Sequence, residues 1–173
     1  NYWDLFEGIV LEFIKEKNFE IIYLCSDFYD QALSNKMNSF SSFYIGRGNI
    51  FNWVINNLYS DVFITSTPDL GSPKFKKSSK IKHYIYIQHS LISLHKGYPE
   101  NSFRNFDTIF CSGYHHVKEI KEIIKHYNFN NINIIKHGYP IIEKLISNKY
   151  SYSNEDKSNT ILIAPTWGNK NIF

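Results

Sequence analysis

The run Tyr84-Ile85-Tyr86-Ile87-Gln88-His89-Ser90 decides how the chain reads. Its first five residues, Tyr84–Gln88, are aromatic or β-branched up to the closing glutamine, which suits a strand in the middle of a sheet. A polar His89-Ser90 step ends it. Upstream lies a polar loop, and beyond that loop Asp61–Thr65 reads as another strand. Downstream, Thr108–Cys111 repeats the pattern, and Val117, Ile120, Ile124 and Tyr127 follow at helical spacing. Strand, connection and strand then recur in both directions.

Working outward to the start, Trp3, Phe6, Val10 and Phe13 mark a helix, with Ile9 and Ile14 widening its apolar stripe. Glu20–Cys25 is expected as a strand, Asp27–Leu33 as a short helix and Ser42–Ile45 as a second strand. Phe51, Val54, Ile55 and Leu58 line one face of a further helix. Toward the end, Asn133–Lys136 reads as a strand, Pro140–Ile146 as a short helix and Thr160–Ile163 as a final strand. Strands alternating with helices need crossover connections, which favour parallel pairing. The expected fold class is therefore α/β: a Rossmann-like, mostly parallel sheet with helices on both faces.

The stretch Ser147–Asn159, SNKYSYSNEDKSN, holds no aliphatic residue and is expected as an interdomain linker. Residues 1–146 then form one domain, and residues 160–173 begin a second. The opening directly into a helix at Asn1 and the stop at Phe173 read as a chain truncated at both ends.

Composition narrows the partners. The chain has 173 residues and a net charge of +3, from 19 basic and 16 acidic side chains. Without a basic stripe or a recognisable motif, no nucleic-acid partner is expected. No apolar run approaches the ~20 residues that cross a bilayer. Cys25 and Cys111 each end an apolar run and read as buried free thiols, which suits a reducing cytoplasm. Five lysines between Lys74 and Lys82 offer a peripheral contact with an anionic membrane, against the plainer reading of a solvated loop.

Ligands of open parallel sheets bind beyond the C-terminal ends of the strands. Here those ends carry Ser66-Thr67-Pro68, Gln88-His89-Ser90, Cys111-Ser112-Gly113, His137-Gly138-Tyr139-Pro140 and Ala164-Pro165-Thr166-Trp167-Gly168. Hydroxyl, imidazole and backbone groups gather there with few carboxylates. That set argues against paired-acid glycosidase chemistry and against a hard-metal cage. No metal site and no cofactor are expected. His115 and His116, adjacent on a helix and so about 100° apart, are assigned surface or capping roles. Gly46-Arg47-Gly48 offers an anion contact or a plain turn.

Taken in order, the blocks Tyr84–Ser90, Phe106–Gly113, His137–Pro140 and Ile161–Trp167 resemble the CDP-glycerol glycerophosphotransferase family, which builds teichoic acids and related capsular polymers. The resemblance implies a glycosyltransferase-B architecture, with this chain as the front domain, its first strand missing, followed by the start of a donor-binding domain. It implies a cytoplasmic protein on the inner face of the membrane and metal-independent transfer. The partners would be a CDP-activated polyol donor and a polymer or lipid-linked acceptor, with release of CMP. By position, His89 matches the family's front-domain histidine, while Thr166 and Trp167 match the donor-phosphate region. The chain departs from the family pattern where His89-Ser90-Leu91-Ile92 replaces His-Gly-Thr-Pro, and where Gly168 follows the Trp in place of a basic residue.

The resulting expectation makes His89 the catalytic base, because imidazole titrates near neutral pH and this one follows the central strand. A strand-end cap is the competing role for His89, and His137 is the rival base. Ser90, Gly113, His137, Gly138, Thr166, Trp167 and Gly168 are expected to bind substrate. Two other functions stay open: a nucleotide-sugar glycosyltransferase or epimerase on the same plan, and a non-catalytic nucleotide- or membrane-binding module.

Overall fold

A computed structural model describes residues 2–129 and 131–149. The first helix, α1 (Trp3–Lys15), leads to β1 (Ile21–Cys25). A 3-10 turn at Gln31–Ser34 precedes β2 (Phe40–Tyr44), and α2 (Asn49–Asn57) follows. Then come β3 (Ser60–Thr65), β4 (Ile81–Ile87), the single turn α3 (Leu94–Gly97), β5 (Thr108–Cys111), α4 (Tyr114–Tyr127), β6 (Asn133–Lys136) and α5 (Pro140–Lys149).

The α/β class is borne out, and among the described residues the named strands all pair in parallel. The strands divide, however, into a two-stranded sheet, β1-β2, and a four-stranded sheet in the order β3-β4-β5-β6. β1 and β3 are not neighbours, so among the described residues each keeps one unpaired edge. Helices gather in two packed pairs, α1 against α5 and α3 against α4.

The larger sheet holds most of the core. Tyr84, Tyr86, Ile87, Ile109 and Cys111 are all buried, and α4 adds Ile120 and Ile123. Asp107, just before β5, ties that strand to both neighbours: its carboxylate accepts from the Tyr84 amide within β4 at 2.8 Å, and its carbonyl accepts from the Asn133 amide at the start of β6 at 2.9 Å. A carboxylate receiving a backbone N–H satisfies a donor that the parallel ladder leaves over at its end. Around the small sheet, Trp3 is the anchor, its ring set edge-on to Tyr23 at 5.4 Å and tilted against Phe40 at 5.6 Å.

Most boundaries fall where periodicity puts them, and the differences have physical causes. β4 begins at Ile81, three residues before Tyr84, because Lys82 points outward and His83 pairs its ring with the Thr108 hydroxyl at 2.8 Å. Polar side chains on the outer face conceal a strand from an apolar count. The short helix expected at Asp27–Leu33 is a 3-10 helix, Gln31–Ser34, capped by the Asp30 carboxylate accepting from the Ala32 amide at 2.9 Å. α5 runs to Lys149, past the expected linker start at Ser147. The rest of that linker and the strand at Thr160–Ile163 lie outside the described residues. Both cysteines are free and buried, as expected. Among the described residues, no helix is long and apolar enough to cross a membrane.

Candidate functional site

Strand direction decides which residues meet at one end of the large sheet. β4 delivers His89 and Ser90, β5 delivers Ser112 and Gly113, and β6 delivers His137 and Gly138, all past their C-terminal ends. All but Ser112 belong to the expected site. Thr166, Trp167 and Gly168 lie outside the described residues.

His89 sits half-buried in a ring of tyrosines. Tyr2, at the start of α1, and Tyr98, just after α3, each place an aromatic ring 6.3 Å from the imidazole. The Tyr86 hydroxyl lies 3.5 Å from Nδ1. Tyr139 donates to the His89 carbonyl at 3.0 Å, drawing the loop after β6 against the end of β4. Burial lowers the His89 pKa below the ordinary imidazole value, and a hydrogen bond with the Ser66 backbone opposes that shift. A lowered value keeps the ring neutral at pH 7, the form that accepts a proton.

Ser90 belongs to the same cluster. Its carbonyl accepts from Gln88 Nε2 at 2.8 Å, and its hydroxyl is 3.4 Å from the Tyr98 hydroxyl. Gly113 caps α4 with extended backbone and supplies no side-chain cap, so the helix opens with first-turn N–H groups uncapped. Helix starts of that kind favour anions. A methyl group at Gly113 would sit 3.1 Å from Nδ1 of His115, whose ring folds over the glycine. Beside it, the Ser112 hydroxyl is buried and has no hydrogen-bond partner among the described residues.

His137 has a different setting from His89. Its ring stacks on Phe110 with centroids 5.0 Å apart and planes 14° from parallel. It lines a cleft of about 400 Å³ between α1 and α5, with Gly8, Ile9, Glu12, Phe13, Pro140 and Glu143. Gly138 turns the chain there at φ +95°, a conformation in which side chains are strained. His137 and Gly138 therefore shape the turn and the α1–α5 cleft, while Tyr139 reaches the His89 cluster.

One expectation needs correcting: His116 is fully buried, whereas His115 is exposed. His116 Nε2 donates to the Ile92 carbonyl at 2.9 Å, and Nδ1 has no partner. The signal was present, because His116 shares a helix face with Ile120 and Ile123 at spacings of four and seven. Tyr86, Tyr98 and Gln88 were also absent from the expected site. Tyr86, Gln88 and Ser90 alternate along the strand, so they fall on one side, and buried hydroxyl and amide groups there require partners.

Among the described residues, no group of three or more His, Cys, Asp or Glu side chains is placed to hold a metal ion. No protein-family model, curated protein or solved structure matches the chain.

Proposed function

We propose that the chain is the front domain of a glycosyltransferase-B type enzyme that transfers a polyol phosphate from a CDP-activated donor to an acceptor hydroxyl. The observation that carries this reading is His89, a half-buried imidazole whose pKa is lowered by burial, set at the C-terminal mouth of a parallel sheet and surrounded by hydroxyls. In the proposed reaction the acceptor hydroxyl attacks the donor phosphorus next to the polyol. His89 takes the hydroxyl proton, the new O–P bond forms, the anhydride P–O bond breaks and CMP leaves. The uncapped start of α4 at Gly113 suits the phosphate charge.

Support for the front-domain reading comes from the division of the sheet. One more parallel strand between the unpaired edges of β1 and β3 would join the two sheets in a doubly wound order, with the chain reversing beside it. That reversal is where ligands of such sheets bind. The acceptor would be a polymer or a lipid-linked primer at the inner face of the cytoplasmic membrane. Lys74, Lys76, Lys80 and Lys82 are exposed before and at the start of β4, the end of the sheet opposite His89, in the same chain region as exposed Tyr59. Ser60, next to Tyr59, donates its amide to the Lys80 carbonyl at 3.3 Å. Lys80 and Lys82 thus lie at the start of β4, away from the His89 end.

A donor screen of the full-length protein tests the proposal. CDP-polyols and nucleotide sugars are offered in parallel, and the released nucleotide is identified. CMP release dependent on an acceptor is expected. UDP release from a nucleotide sugar would transfer the site to glycosyl transfer, and no turnover with any donor would favour a binding module.

A further inference from the structure

We propose that Tyr86 is a positioning residue for His89: a fixed chain of hydrogen bonds turns its oxygen into an acceptor, which holds the proton of neutral His89 on Nδ1 and leaves the lone pair on Nε2. This rests on the reading of His89 as the base, but its geometry can be tested without turnover.

The chain begins at the Ser90 carbonyl, a group that can only accept. Gln88 Nε2 donates to it at 2.8 Å, and this settles which end of the buried amide faces which way. The other end, Oε1, can also only accept. It lies 2.8 Å from the Tyr86 hydroxyl, so the single Tyr86 proton points at Gln88. Burial drives the Tyr86 pKa well above its ordinary value, so that proton is present throughout the working range. The 2.8 Å bond to Gln88 outcompetes the 3.5 Å approach to the Tyr98 hydroxyl for that proton, and the lone-pair density that remains on the Tyr86 oxygen faces His89 Nδ1 at 3.5 Å.

A ring nitrogen opposite a lone pair is favoured as N–H. With Nδ1 so occupied, Nε2 is the atom left to receive a proton from an acceptor hydroxyl. Tyr86 itself cannot swing away. Its ring is packed edge-on to Phe103 at 5.1 Å and against Phe106 at 5.4 Å, and the residue is fully buried. The relay therefore resembles in logic the acceptor that orients a catalytic histidine from behind, with a tyrosine oxygen where a carboxylate is commonly found.

The test is nitrogen NMR of the chain with ¹⁵N-labelled histidine at about pH 8, where imidazole is neutral; His89→Gln assigns the signal. The wild-type ring is expected chiefly as the Nδ1–H tautomer. Tyr86→Phe removes only the oxygen and should lower the Nδ1–H to Nε2–H ratio by about two- to ten-fold, the worth of one net hydrogen bond. Gln88→Met is the sharper variant. It frees the Tyr86 proton to turn toward Nδ1 and should shift the ratio the same way with the hydroxyl still present. Amide dispersion checks that each variant is folded, and either folded variant suffices. A wild-type ring that is chiefly Nε2–H, or a ratio unchanged in the folded variants, overturns the proposal. If the tautomer is as stated but His89→Gln turns over normally, the base assignment fails and the relay stands.

Discussion

The two sheets of this chain use similar residues and reach different degrees of burial. β4 and β5 are shielded along almost their whole length, whereas β1 buries only Cys25 and β2 only Phe40. Ile109 at the centre of β5 is fully buried, while Ile22 in β1 remains 58% exposed. Strand propensity alone cannot separate them, since both strands are rich in β-branched and aromatic residues. The difference comes from neighbours: β5 lies between two parallel partners and beneath α4, while β1 has one strand partner and the single helix α1. A strand flanked on both edges gives rigid strand ends, and β4 and β5, both so flanked, carry His89, Ser90 and Gly113 past theirs.

The contrast breaks or holds most clearly under truncation. Ile109→Ala should destabilise the protein by about 2–5 kcal/mol, the usual loss for emptying a packed site. Ile22→Ala should stay within about 1 kcal/mol of wild type, as substitutions at exposed positions generally do. Chemical denaturation of both variants measures this, and equal losses would erase the distinction between the sheets.

Acid should act on the same larger half. His116 is fully buried against the large-sheet core, and burial is the main cause that lowers its pKa, with His115 acting in the same direction while the Ile92 carbonyl and Glu119 oppose. The unfolded chain, titrating near the ordinary value of about 6.5, then binds a proton that the folded chain resists. Stability is complete above that value and falls as pH drops from it toward the lowered folded value. Melting curves from pH 8 to pH 5 should show this loss, and His116→Gln should flatten it. An equally steep loss in the variant would clear His116.

The smallest effect concerns the surface before β4. Replacing each of Lys74, Lys76, Lys80 and Lys82 by Gln should weaken co-sedimentation with anionic vesicles by about 1 kcal/mol per lysine at low salt. Added salt should weaken it too, as the Debye length shortens to about 8 Å at physiological ionic strength. Binding indifferent to lipid charge, to salt or to the lysines would end that reading.

What the sequence made legible follows from the same contrast. β5 and β6 fall on their expected bounds because each is a short apolar run with clear polar breaks on either side. The early edges of β2 and β4 were hidden, since Ser41 and Lys82 sit on exposed faces that obey no apolar pattern. For the candidate site, strand direction was enough to put His89, Ser90 and Gly113 at one end of the large sheet. The partners of His89 were not legible. Tyr98 arrives from a turn after α3 and Tyr139 from a loop 50 residues on, and only the folded chain sets them beside the ring. His116 was misread because its neighbour His115 is exposed, so the pair gave no common signal.

The role proposed for His89 is removal of the acceptor proton. The direct measurement is acceptor-dependent CMP release by full-length His89→Gln and His89→Ala, with donor affinity measured separately. A loss of about 10²–10⁴ in turnover is expected, the usual contribution of a general base, with donor affinity changed only a few-fold. Folded variants that turn over within a few-fold of wild type would contradict the account.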